Sequence, residues 1–132
     1  MAGFERLTSV LMPYALAALR IVTGLLFLEH GTSKLLGFPA AASGHAPALF
    51  SLIWWSGFLE LFGGALITVG LLTGPVAFLL AGEMAVAYFM AHAPRSFFPM
   101  LNGGDASVLY CFVFLYLTVA GPGSLSLDAR LW

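Results

Sequence analysis

Ionisable side chains inside otherwise apolar stretches constrain this chain more than any other feature of its sequence. Five charged residues and two histidines lie in segments apolar enough to cross a bilayer: Arg20, Glu29, His30, Lys34, Glu60, Glu83 and His92. A charged side chain at the centre of a bilayer costs about 3 kcal/mol by insertion scales. The fold must therefore pair these residues with one another or bring a polar ligand to them.

The composition identifies the class of protein. Of the 132 residues, 61% are hydrophobic and only 8% are charged, whereas a soluble domain carries roughly 25% charged residues. This shortage of charge excludes an ordinary soluble fold and predicts an integral membrane protein. The net charge is −1 and the basic residues form no cluster, so nucleic acid is not an expected partner. The single cysteine, Cys111, cannot form an intrachain disulfide and is expected to be a buried apolar residue.

Proline and glycine positions divide the chain into four predicted helices. We predict one all-α domain over residues 1–132, an integral membrane four-helix bundle. The helices are expected at about 13–36, 49–72, 75–92 and 104–121. Proline suits the first turn of a helix, which places the first start at Pro13. The tail, Ser124 to Trp132, is expected to lie at the membrane interface.

Four spans place both termini on one face of the bundle, which we name the terminal face; the opposite side is the loop face. Positive charge is more frequent on the cytoplasmic side of membrane proteins. Arg6 and Arg130 belong to the terminal face, and Lys34 and Arg95 to the loop face. With two basic residues at each face, the charge distribution does not determine the orientation in the membrane. Cytoplasmic termini are our hypothesis.

Helix rise gives each ionisable residue a depth from the terminal face. At about 1.5 Å per residue, Arg20 lies about 10 Å deep, Glu83 about 12 Å and Glu60 about 18 Å. These depths predict that the three residues interact, with one acid left without a counter-charge. A second polar cluster is expected nearer the loop face, formed by Glu29, His30, Lys34, His92 and Arg95.

The helical period refines which side chains meet. At about 100° per residue, Glu29 points away from the stripe that carries Arg20 and Lys34. Its role stays open between reaching the interface and contacting a partner subunit. Glu83 and His92 are predicted to lie nearly opposite each other unless the helix end bends. A haem held by His30 and His92 is therefore a minor alternative, and no metal site is predicted.

Flat apolar side chains near these polar groups favour a quinone-type pocket. The aromatic residues concerned are Phe27, Tyr88, Phe89, Phe97 and Phe98. Gly57 and Gly64 share one face of the second helix, where small residues allow another helix or a flat ligand to approach the backbone.

Five stretches follow one another along the chain: RIVTGLLFLEHGTSK (Arg20–Lys34), ELFGGALITVGLLT (Glu60–Thr73), EMAVAYFMAHAP (Glu83–Pro94), NGGD (Asn102–Asp105) and GPGSLSLD (Gly121–Asp128). In this order they resemble the DoxX family of small four-helix membrane proteins. Asp105 stands where the family pattern leads us to expect Glu. The resemblance implies a bacterial inner-membrane protein. It further implies a redox context, because the family takes its name from a subunit of an archaeal thiosulfate:quinone oxidoreductase and other members are associated with redox-defence assemblies.

The leading hypothesis is a quinone-interacting subunit of a membrane oxidoreductase. The sequence carries no flavin, haem-attachment, iron–sulfur or nucleotide motif, so a soluble redox partner would supply the electrons. The candidate quinone, proton or ligand-binding residues are Arg20, His30, Lys34, Glu60, Glu83 and His92.

Other interpretations stay open at this point. The intramembrane charges also suit an oligomeric carrier of protons or a small solute, and the loops suit a scaffold that docks a soluble enzyme. Arg20 and Glu83 are equally well explained as a structural ion pair. Lys34 and Arg95 are most simply interface anchors, and the histidines are most simply hydrogen-bonded at the interface.

Overall fold

The computed structural model describes residues 1–41 and 43–132, and this part of the chain contains helices and no strand. The helices are α1 (Ala2–Leu36), α2 (Leu52–Val69), α3 (Thr73–Ala87), α4 (Pro99–Asn102), α5 (Asp105–Ala120) and α6 (Asp128–Leu131). A π-helical turn at Tyr88–His92 continues α3 without a break. The predicted all-α class is confirmed.

The length and composition of the helices suit a membrane. Three segments are long and apolar enough to cross a bilayer: Ala2–Leu36, Leu52–Val69 and Thr73–His92. The apolar helix α5 has 16 residues, or about 24 Å against a hydrocarbon core of about 30 Å. Large apolar side chains such as Leu25, Phe78 and Phe112 cover the outer surface. An outer surface of this kind faces lipid, and the predicted membrane bundle is confirmed.

Helix α1 begins at Ala2 rather than at the predicted Pro13. Pro13 lies inside the helix, where it removes one backbone hydrogen bond without ending the helix. With 35 residues α1 is about 52 Å long, well beyond the thickness of the hydrocarbon core. Every residue from 1 to 12 is exposed, so the first turns of α1 extend past the bundle at the terminal face.

The middle helices are shorter or shifted relative to the sequence prediction. Helix α2 begins at Leu52 because the Ser51 hydroxyl accepts a hydrogen bond from the Trp54 N–H, at 3.2 Å. It ends before Gly70, which adopts the left-handed conformation that glycine allows. Helix α3 begins at Thr73 rather than Pro75, since a side chain from the tail satisfies the first N–H groups of this helix.

Glycines bring α1 and α2 into backbone contact along their length. A Cβ added at Gly64 would lie 2.6 Å from the Leu28 nitrogen, and one at Gly24 would lie 2.7 Å from the Thr68 nitrogen. Gly31 meets the backbone of Leu61 in the same way. The close approach predicted for the glycine face of α2 is thus made by a helix. Helices α3 and α5 form a second packed pair, and α2 and α3 join the two pairs.

Candidate functional site

Lys34 and Glu60 form an ion pair across the α1–α2 contact. The Lys34 ammonium donates hydrogen bonds to Glu60 Oε1 at 2.8 Å and to the Ser56 hydroxyl at 2.9 Å. Glu60 is only 4% exposed, whereas Lys34 is half-buried. Gly57 lets the two helices approach at this level, because a Cβ there would lie 3.0 Å from the Lys34 Cβ. Local packing of α1 on α2 therefore positions the pair.

Glu83 reaches the same region from α3. Both of its carboxylate oxygens are buried, and no hydrogen-bond donor in residues 1–41 and 43–132 satisfies either one. The same holds for Glu60 Oε2. Leaving a buried polar group without a hydrogen bond costs about 1–3 kcal/mol, and more for a charged group. Two carboxylates face one ammonium, so this cluster needs a proton or a hydrogen-bonding ligand to complete it.

The larger of two cavities beside the cluster has a volume of about 800 Å³ and lies between α2, α3 and α5. We name it the apolar cavity, because aliphatic and aromatic side chains such as Leu59, Leu115 and Trp55 form most of its wall. Its polar groups come from Lys34, Ser56 and Glu83. Exposed residues at its rim include Ile53, Phe78 and Leu79. The cavity therefore opens on the lipid-facing surface.

The smaller cavity has a volume of about 310 Å³ and lies between α1, α2, α5 and the π turn. We name it the polar cavity, after the side chains His30, Lys34, Ser56, Glu60, His92, Ser107 and Tyr110 that line it. Lys34 and Ser56 line both cavities. Lys34 and Ser56 therefore lie where the two spaces adjoin, with Glu60 on the polar side and Glu83 on the apolar side.

The π turn places His92 in the cavity that His30 also lines. A π turn bonds residues five apart, so each residue turns less around the helix axis than in an α-helix. Glu83, which precedes the turn, lines the apolar cavity, and His92 lines the polar one. The two side chains therefore do not meet.

Asn102 fixes the loop that supports His92. Its amide donates to the Ser96 carbonyl at 2.7 Å and to the Tyr88 hydroxyl at 3.2 Å, and accepts from the Gly104 N–H at 2.8 Å. The Asn102 carbonyl lies 3.1 Å from Nδ1 of His92. A carbonyl only accepts, so Nδ1 carries a hydrogen and Nε2 is the nitrogen left to exchange a proton.

Arg20 does not join Glu60 and Glu83, and the predicted three-residue cluster is wrong in this respect. Its side chain is fully buried and donates to the Ile67 and Thr68 carbonyls at 3.2–3.3 Å. It also donates to the Ser124 and Leu125 carbonyls at 2.9–3.3 Å. These bonds satisfy the carbonyl end of α2 and hold the tail against it. The prediction from depth failed for Arg20 because it took no account of the backbone carbonyls at the end of α2, which are available as hydrogen-bond acceptors.

The tail completes this closure of the terminal face. The Asp128 carboxylate accepts hydrogen bonds from the Leu72 N–H at 2.8 Å and the Thr73 N–H at 2.9 Å. Burial by itself would raise the pKa of Asp128, but the N–H groups of Thr73 and Leu72 hold that pKa below its ordinary value. Asp128 thus caps α3 from the far end of the chain.

Several predicted site residues lie elsewhere. Glu29 is exposed on the outer face of α1, and Arg95 is exposed beyond the π turn, so neither lines a cavity formed by the described residues. Of the aromatic residues expected to form pocket walls, Phe27 lines the polar cavity. Phe89, Phe97 and Phe98 are exposed instead.

Two residues of the site escaped the sequence analysis. Ser56 accepts a hydrogen bond from the Lys34 ammonium. Its position one turn before Glu60 puts both side chains on the same face of α2, and the sequence alone could have indicated this. Ser107 lines the polar cavity near the start of α5, and only the arrangement of four helices reveals it.

Buried acids beside a lipid-facing cavity in an all-helical bundle define a small polytopic membrane protein with an internal polar site. The model of one family, described as DoxX, matches residues 15–93. The chain belongs to the DoxX family. A protein from Haemophilus influenzae, named only as uncharacterized, is 40% identical over 124 residues, which cover 91% of this chain and 92% of the relative. No solved structure matches the chain.

Proposed function

We propose that this protein is a membrane subunit of an oxidoreductase system that binds a quinone in the apolar cavity and exchanges protons with it. The observation that carries the proposal is the Glu83 carboxylate. Both oxygens are buried and accept no hydrogen bond from the described residues, while the carboxylate faces a cavity of about 800 Å³. We infer that an acid in this position forms a hydrogen bond with a ligand in the cavity.

The residues of the cavity suit a quinone in size, polarity and access. Small-molecule pockets typically have volumes of about 300–1,000 Å³ and combine apolar walls with a few polar groups. The Lys34 ammonium and Ser56 hydroxyl are donors for a ring carbonyl, and Glu83 accepts from a ring hydroxyl or, when protonated, donates to a carbonyl. The opening among lipid-facing side chains suits a ligand that is dissolved in the bilayer.

A bound quinone takes up two electrons and two protons when it is reduced. The residues of this chain orient the ring, keep its polar edge out of lipid and hold a proton on the Glu83 carboxylate. The Lys34–Glu60 pair places a second carboxylate near the first, since Lys34 lines the same cavity as Glu83. The sequence has no attachment motif for a redox centre, so we propose that a soluble redox partner exchanges electrons with the quinone.

We further propose a location in the bacterial inner membrane with cytoplasmic termini. The family and the apolar helices support the membrane location, whereas the orientation rests on the sequence hypothesis alone. Reporter fusions at the C-terminus, active only in the cytoplasm or only in the periplasm, test the orientation. Crosslinking in native membranes tests for a homo-oligomer or a soluble partner.

Equilibrium binding of a short-chain quinone to the protein in lipid nanodiscs tests the proposed function. Ala85→Phe fills the apolar cavity with a ring, and Val119→Phe adds the same ring to an exposed position of α5 outside both cavities. We expect Ala85→Phe to abolish saturable binding and Val119→Phe to retain it. Glu83→Gln should weaken binding by about tenfold to a hundredfold, since a hydrogen bond to a charged group contributes about 1.5–3 kcal/mol and about 1.4 kcal/mol is a factor of ten.

Saturable binding that both phenylalanine variants share with the wild-type protein would locate the quinone elsewhere. If no saturable binding is measured, the alternatives are transport or scaffolding. Proton or solute flux in liposomes distinguishes the first, and recovery of a recurrent partner from native membranes distinguishes the second.

A further inference from the structure

We propose that the polar cavity is an aqueous vestibule that opens at the loop face and connects that surface with the Glu60 carboxylate. The vestibule would allow protons to reach the polar cluster from the side away from the apolar cavity, and this role rests on the proposed function. The vestibule itself is a property of the fold and is tested without a quinone.

The lining of the polar cavity is suited to water. Its volume is about 310 Å³, and a water molecule takes up about 30 Å³ in the liquid. Hydroxyl groups of Ser56, Ser107 and Tyr110 and the rings of His30 and His92 line it. Buried water needs two to four polar partners, and these side chains supply them from three helices and the π turn.

The position of the lining residues fixes which face the vestibule meets. Three lining residues are exposed toward the loop face: Gly103, just after α4, Ala106, at the start of α5, and His30, near the end of α1. The opposite end is closed by aromatic rings. Phe27, which is 1% exposed, packs against Phe114 with ring centroids 4.9 Å apart and against Tyr110 with centroids 5.2 Å apart.

Glu60 is the group that such a vestibule serves. It is 4% exposed, it lines the polar cavity and not the apolar one, and its Oε2 accepts no hydrogen bond within residues 1–41 and 43–132. The ionisable groups that face this region are His30 and Lys34 on α1, Glu83 on α3, His92 on the π turn and Tyr110 on α5. Water at Oε2 satisfies the buried oxygen, and Nε2 of His92 is available for proton exchange in the same cavity.

The closed terminal face makes this access one-sided. The fully buried Arg20 and the tail residue Ser126, 3% exposed, cover the end of α2. Protons that reach Glu60 through water therefore come from the loop face. Lipophilic ligands have their own lateral opening through the apolar cavity.

Cysteine labelling with charged, membrane-impermeant methanethiosulfonates tests for the vestibule. In a Cys111→Ala background, Ser107→Cys places the thiol in the polar cavity and Leu109→Cys places it on the same helix, 66% exposed but outside both cavities. In nanodiscs we expect Ser107→Cys to react many times faster, because only a thiol in contact with water reacts. Ala106→Cys, at the mouth, provides a second variant if Ser107→Cys does not fold. Labelling of the cavity positions no faster than of Leu109→Cys would overturn the proposal.

Infrared spectroscopy tests the connection to Glu60. The carboxyl bands that Glu60→Gln removes identify this residue, and their response to a rapid drop in pH reports proton access. We expect the response to slow severalfold once a bulky label on Ser107→Cys fills the cavity, while labelled Leu109→Cys responds as the unlabelled protein does. An unchanged rate would show that Glu60 exchanges protons by another route. Since neither measurement contains a quinone, failure here is distinct from failure of the proposed binding function.

Discussion

The Lys34 ammonium lies 2.8 Å from Glu60 Oε1 and lines both the apolar cavity and the polar cavity. The proposed function rests on this arrangement. One carboxylate, Glu83, faces the space that opens to lipid, and the other, Glu60, faces the space that opens at the loop face. On the account proposed above, a lipophilic ligand and aqueous protons reach the same polar cluster from different directions.

Removal of the ammonium should destabilise the fold. Lys34→Met leaves Glu60 buried without its cation, and we expect the free energy of unfolding to fall by about 1.5–3 kcal/mol, the contribution of a hydrogen bond to a charged group. Glu60→Gln added to Lys34→Met should recover part of this loss, because it removes the uncompensated charge. Denaturation in detergent, followed by circular dichroism, measures both. A double variant whose loss equals the sum of the single losses would contradict this coupling.

The glycine contact of α1 with α2 should not tolerate a methyl group. Gly64→Ala forces a Cβ to within 2.6 Å of the Leu28 nitrogen, and overpacking of this kind costs about 1–3 kcal/mol. Gly82→Ala is the matched control, since a Cβ at this helical position meets none of the described atoms within 4 Å. Thermal unfolding should show a lower midpoint for Gly64→Ala only. Equal midpoints would mean that the helices are not in backbone contact.

The Asp128 cap should depend on pH in a defined direction. Asp128→Asn weakens the bonds to the Leu72 and Thr73 N–H groups, and loss of a helix cap costs about 1 kcal/mol. The pKa of Asp128 is lowered in the folded protein. Its stabilising contribution is therefore complete above the ordinary pKa of about 3.9 and is lost as pH falls through the lower, folded pKa.

Unfolding midpoints of the wild-type protein and Asp128→Asn should differ at pH 7 and converge below about pH 4. A difference that grew on acidification would contradict this assignment. Asp105→Asn is a suitable control, because Asp105 lies in the first turn of α5 and is exposed.

Loss of the Asn102 side chain should loosen the support of His92. Asn102→Ala removes three hydrogen bonds at a residue only 2% exposed, and we expect a loss of about 1–3 kcal/mol. Hydrogen exchange of the Gly104 N–H, which donates to the Asn102 side chain, should become faster at the same time. Unchanged exchange there would show that the loop does not depend on Asn102.

The sequence predicted the class of fold better than it predicted which residues meet. Apolar stretches and turn residues were enough for a helical membrane bundle, because the bilayer imposes length and periodicity on the chain. The pairing of Arg20 was wrong, since its partners are backbone carbonyls at the end of α2 and in the tail. The π turn at Tyr88–His92 was not predicted either, because a regular helical period does not reveal it. Long-range hydrogen bonds such as those of Asp128 depend on how the tail folds back onto the bundle. Local sequence patterns do not predict this folding of the tail.

Identification of the small molecules that the protein carries from native membranes tests the central claim most directly. Gently solubilised wild-type protein, Ala85→Phe and Val119→Phe would be purified in parallel, extracted and analysed by mass spectrometry, with a visible spectrum to reveal any haem. The account predicts quinone in near-stoichiometric amounts with the wild-type protein and Val119→Phe, and its loss from Ala85→Phe. Preparations that contain phospholipid alone, or quinone in equal amounts in all three proteins, would contradict the assignment of the apolar cavity as a quinone site.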